Sequence, residues 1–161
     1  MPGWQFWVFV LILLIVHFFL HLALGLAGSA PDLATVAALL SARRVNRPVA
    51  ALVGGVIGLV RDALALIAFG ADAAALAIVG YIGARTRDLF VGDSALFVFM
   101  YLFLGKWLHD ALYHVLRSWG GGISADGGLA QLLLSAPVAA LYAAIAGGIA
   151  LSMYRWLSGE R

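Results

Sequence analysis

Residues Pro48 to Phe69 read PVAALVGGVIGLVRDALALIAF. The run is apolar from end to end except for two adjacent charges, Arg61 and Asp62. About 20 such residues are enough for a helix to cross a bilayer. A carboxylate at hydrocarbon depth costs at least ~2.5 kcal/mol even on the mildest insertion scale, so such groups face a protein interior and mark function. The segment therefore predicts a transmembrane helix that needs neighbours to shelter its charges.

The rest of the chain supplies them. Hydrophobic residues make up 64% of the 161 residues and charged residues only 11%, against roughly 25% charged in an ordinary soluble domain. A mean hydropathy of +1.02 leaves no room for a soluble domain of any size, so residues 1–161 read as a single integral-membrane domain. The absence of cysteine excludes disulfides, thiol catalysis and cysteine-based metal sites. The net charge is only +2, and the basic residues lie scattered at segment ends, which excludes a nucleic-acid partner.

Six apolar segments follow one another: Trp4 to Leu26, Pro31 to Ala42, Pro48 to Phe69, Ala71 to Ala84, Ser94 to Trp119 and Leu129 to Leu157. Helices satisfy their own backbone in lipid, and runs without period-two alternation exclude a β-barrel. The expected fold is all-α, a polytopic bundle of six transmembrane helices. The second and fourth segments are short, spanning only ~18–20 Å as helices. They must tilt little, extend into their flanks or be buried among the others. No Lys or Arg precedes the first segment, and it exceeds the ~7–15 apolar residues of a secretory leader, so it reads as a retained helix despite the small residues Gly28 and Ala30.

Arginines set the expected orientation. Arg43, Arg44, Arg47, Arg85, Arg87, Arg155 and Arg161 follow or precede one set of ends, and only Arg117 lies near the other. Both termini should be cytoplasmic. The Arg43–Pro48 and Arg85–Asp93 links are short basic turns suited to anionic head groups, and the outer Ser118–Gly128 turn, rich in glycine, should be flexible. A weak tandem repeat of about 40 residues relates two long–short helix pairs. The turn of one holds Pro31 and Asp32, the turn of the other Gly70 and Asp72.

Most ionisable residues gather in the outer half of the outward-running helices: His17 and His21 on the first, Asp62 on the third, and His109, Asp110 and His114 on the fifth, with Lys106 near the middle of the fifth. Lys106 and Asp110 are four apart and share a helix face, as an internal ion pair would. A proton or ion relay needs a continuous chain of such groups. His17 and His21 are spaced for a metal, but no further ligand run accompanies them, and a packing pair is the simpler reading. Arg61 and Asp62 point about 100° apart on a helix and cannot simply neutralise each other. One should face Lys106 or a histidine, the other an interface. Gly54 and Gly58 form a GxxxG spacing that permits close helix approach, within the chain or between chains. No serine-nucleophile elbow, phosphate loop or metal signature is present, so neither enzyme activity nor a cofactor is expected.

The order Pro31-Asp32-Leu33, a short helix, basic residues, Gly54-Gly55-Val56-Ile57-Gly58-Leu59-Val60-Arg61-Asp62, Gly70 and an alanine-rich helix ending Val79-Gly80-Tyr81 resembles the MreD family of rod shape-determining membrane proteins. The detailed resemblance covers about residues 30–90. Arg61 departs from the pattern, which leads one to expect glutamine or an apolar residue before the aspartate. The resemblance implies a non-catalytic scaffold of the elongation machinery in the bacterial inner membrane. It would hold the membrane helix of MreC and, through it, connect MreB filaments to RodA and its penicillin-binding transpeptidase. Pro31, Asp32, Gly54, Gly58, Arg61, Asp62, Gly70, Gly80 and Tyr81 are the motif positions. MreD proteins are also similar to the six-helix substrate-binding components of energy-coupling-factor vitamin transporters. That alternative would place a pocket near the outer face, lined by Asp62, Asp110, His114 and Trp107.

Overall fold

The computed structural model describes residues 3–23, 30–65, 69–87, 94–119 and 134–159. They form six helices, and no strand occurs among them. These are α1 (Gly3–Phe18, continued by a π turn over Phe19–Ala23), α2 (Leu33–Ala42), α3 (Arg47–Ala65), α4 (Ala71–Thr86), α5 (Ala95–Trp119) and α6 (Ala136–Ser158). Each lies within one apolar segment of the sequence or overruns it by a residue or two. Gly28, the glycine-rich turn beyond Trp119, and the end of the basic link after Arg87 lie outside the described residues.

Three helical stretches, Gly3–Leu22, Ala95–Ser118 and Ala136–Ser158, are long and apolar enough to cross a membrane. Only a minority of each is buried inside the bundle, and large apolar side chains such as Leu11, Ile12, Ile15, Leu96, Ile149 and Met153 are exposed. Continuous apolar surface on this scale marks a membrane-facing protein.

Helix α2 sits at the centre, packed against α1, α3, α4, α5 and α6. Its sequence LATVAALLSA has no polar face, and all ten residues are buried, as expected of a helix apolar all round. So the second segment meets its shortness by burial among the others. Ten residues give only ~15 Å of helix, about half of a ~30 Å hydrocarbon core. One end of α2 therefore stops inside the bundle, and this positions the site.

Helices α3 and α4 form a close antiparallel pair. Gly54 and Gly58 face α4, where a Cβ on Gly58 would lie 2.5 Å from the Asp72 carbonyl oxygen and one on Gly54 would lie 2.8 Å from the Leu76 carbonyl carbon. The GxxxG spacing thus serves packing within the chain. Gly80 approaches the Ala50 backbone in the same way, whereas Tyr81 of the same motif is exposed. At the arginine-rich end, Tyr101 donates its hydroxyl hydrogen to the Leu39 carbonyl at 2.9 Å, and Arg87 donates to the Val45 carbonyl at 2.8 Å. Arg44 lies over the Phe6 ring.

Candidate functional site

Asp32 is the N-cap of α2, accepting from the Thr35 backbone N–H at 3.1 Å and from its hydroxyl at 2.8 Å. Because α2 is short, this cap lies beside the middle of α5 rather than at a surface. A carboxylate largely withdrawn from water there needs cations. Lys106 of α5 supplies one, its Nζ 3.0 Å from Asp32 Oδ2. Arg61 of α3 supplies the other, with Nη1 3.2 Å from both Asp32 oxygens. Arg61 Nε also reaches Asp72 Oδ2 on the first turn of α4 at 2.9 Å. Asp72 Oδ1 meets His109 Nε2 at 2.7 Å, and His109 Nδ1 lies 3.2 Å from Asp110 Oδ1. Asp110 pairs with Lys106, which leads back to Asp32.

The six groups close a ring in which acids and bases alternate: Asp32, Arg61, Asp72, His109, Asp110, Lys106. It ties together α2, α3, α4 and α5. Carboxylate oxygens only accept, so both contacts of His109 are hydrogen bonds when both ring nitrogens carry hydrogen. That form would also set a third cation against three carboxylates. Closed networks of this kind satisfy buried charges, whereas a partly satisfied one is costly.

Asp62 stands outside the ring. It is 2% exposed and turned to the backbone of α4. It accepts from the N–H groups of Gly70 at 2.9 Å, Asp72 at 3.2 Å and Ala73 at 3.0 Å. The N-cap of α4 is Gly70, held at φ 94° and lacking any side chain to cap with. Asp62 performs the capping from the neighbouring helix, satisfying donors that a helix start leaves open.

The structure thus corrects several expectations. Arg61 faces Asp32 and Asp72, not Lys106 or a histidine, and Asp62 meets a helix start, not an interface. The expected Lys106–Asp110 pair is present, and Lys106 serves Asp32 as well. Thr35 carries no signal in the sequence beyond being one more small residue of α2, and Asp72 stands there only as a turn residue of the tandem pattern. The tandem offset held the signal for Asp72, since Asp32 and Asp72 start the two short helices and Arg61 bridges them.

The histidines divide. His17 is buried, with Nδ1 3.9 Å from Asp32 Oδ1, too far for a hydrogen bond and without a partner among the described residues. It is therefore not a satisfied packing histidine. Its ring lies 4.0 Å from that of His21, whose Nδ1 lies 2.9 Å from the His17 carbonyl oxygen. Among the described residues the His114 side chain makes no polar contact with the ring.

A cavity of about 620 Å³ borders the ring. Asp32, Arg61 and Lys106 form its polar wall, with His21, Val138 and Tyr142 around them. Asp62, Asp110, His114 and Trp107, the residues expected around a pocket, do not line it. Comparison with family models, with curated proteins and with solved structures found no match.

Proposed function

We propose that this protein is a non-catalytic membrane scaffold of the MreD type. It crosses the bacterial inner membrane six times with both termini cytoplasmic, and binds the membrane helix of MreC. Through MreC it links MreB to RodA and its penicillin-binding transpeptidase. The observation that carries the reading is the closure of the charges on one another: Asp32, Asp72 and Asp110 each lie between two bases. Arg61 and Asp62, the core of the motif, both bind the first turn of α4. Charges used in this way fix helix positions, which suits a scaffold whose remaining surface is apolar and faces other membrane helices.

A tagged protein extracted from native membranes and analysed by mass spectrometry tests this. Recovery of MreC is the expected outcome. Recovery of a pair of ATPases in its place would overturn the scaffold reading and favour the second one, a substrate-binding component of an energy-coupling-factor-type transporter. The cavity beside the ring is the observation in favour of that alternative.

A further inference from the structure

The cavity beside the charge ring has a chemistry of its own, independent of the scaffold reading. Helices α1 and α6 meet near the arginine-rich end, where Tyr154 stacks on Phe9 at 4.7 Å and packs edge-on to Phe6 at 6.2 Å. Towards their other ends the cavity lies between them, with His21 on the α1 side and Val138 and Tyr142 on α6. Its volume of about 620 Å³ falls in the range of small-ligand sites. Its flanks are membrane-facing: Phe19 and Leu22 on α1 and Val138 on α6 are all more than half exposed.

Hydrogen-bond capacity decides what fits. Asp32 is the acid on the wall, and its lone pairs are spent. Oδ1 takes the Thr35 N–H and Arg61, and Oδ2 takes the Thr35 hydroxyl, Arg61 and Lys106. A carboxylate offers about four acceptor positions. The bases are not exhausted. Arg61 has five N–H groups, and its contacts engage only Nε and one terminal nitrogen. Lys106 has three, with two carboxylate partners. Donor capacity thus remains on Arg61 and Lys106, both of which line the cavity beside one carboxylate, Asp32.

We propose that this cavity binds an amphiphile with an oxyanion head, a phosphate or carboxylate on an apolar chain. The head meets the open edge of Arg61 and the free N–H of Lys106. The chain passes between α1 and α6, over Val138, into the surrounding lipid. Charge-assisted hydrogen bonds and forked guanidinium contacts favour such a head over a neutral one.

The test uses the full chain in mild detergent and native mass spectrometry, titrated with dodecyl phosphate, dodecanol and inorganic phosphate. Dodecyl phosphate should bind saturably at one site, and dodecanol about tenfold or more weakly, as expected when hydrogen bonds to charged groups are lost. Val138→Trp narrows the cavity from its α6 side, at a residue outside the ring of charges. It should weaken dodecyl phosphate about tenfold while leaving the unliganded melting temperature unchanged. Ile149→Trp, in the separate groove between α5 and α6, should leave binding as it is. Equal binding of dodecanol, or full binding by Val138→Trp, overturns the proposal. Inorganic phosphate binding as tightly as dodecyl phosphate overturns the amphiphile assignment in favour of a free anion. Recovery or absence of MreC in co-purification bears on none of these results.

Discussion

Replacing Asp62 by alanine removes the acceptor for three backbone N–H groups, those of Gly70, Asp72 and Ala73. Loss of an ordinary N-cap costs ~0.5–2 kcal/mol, and each buried donor left unpaired costs ~1–3 kcal/mol. The three donors share two oxygens, and the loosened helix start can relax towards water, so the losses do not add in full. About 3–5 kcal/mol is expected for Asp62→Ala. Asparagine makes the comparison sharper. Oδ2 serves both Gly70 and Ala73, whereas Oδ1 serves Asp72 alone. An amide oxygen placed where Oδ2 lies keeps two bonds and sets an NH₂ group against the Asp72 N–H. Asp62→Asn should therefore cost about 1–2 kcal/mol. At ~2–4 °C per kcal/mol for a chain of this size, melting in detergent should fall by about 10 °C for alanine and by a few degrees for asparagine. Amide hydrogen exchange at Ala71 to Ala74 should rise in the same order. An alanine variant that melts within ~2 °C of the parent, or an asparagine variant as damaged as alanine, would refute the capping role.

Gly58→Ala drives a methyl group into the backbone of Asp72 and Ala73 and should destabilise by about 1–3 kcal/mol or more. Gly148→Ala has nothing within 4 Å of the new carbon and should not lower the melting temperature, since alanine is the better helix former. Lys106→Met takes one of two basic partners from both Asp32 and Asp110 and should cost about 3–5 kcal/mol. Adding Asp110→Asn should recover only part of that loss, because Asp32 remains; full recovery in the double variant would show that Asp32 does not depend on Lys106. Cysteines at Gly121 and Gly159 should differ in labelling by an impermeant thiol reagent applied to intact cells, with only the first reacting. Equal labelling would contradict the orientation read from the arginines.

The long apolar segments were legible because a helix in lipid has to satisfy its own backbone, so hydropathy alone marks where it runs. The close approach of α3 and α4 was legible in Gly54 and Gly58. The importance of Arg61 and Asp62 was legible too, since charges in an apolar run demand an explanation. Their partners were not. Adjacent residues on a helix point about 100° apart, and nothing local says which neighbour each will meet.

That depended on α2. Its lack of a polar face implies burial, and its ten residues imply a short span, so both properties belong to the sequence. Only the packing of α2 against all five other helices brings its N-cap, Asp32, level with Lys106 halfway along α5. Only the docking of α4 on α3 turns Asp72 from a turn residue into a buried carboxylate between Arg61 and His109. The sequence by itself determined the helices and the fact that their charges need shelter, because backbone satisfaction and desolvation act locally. The tertiary structure decided which acid meets which base, because Coulomb and hydrogen-bond partners are set by helix lengths and offsets that no single segment contains.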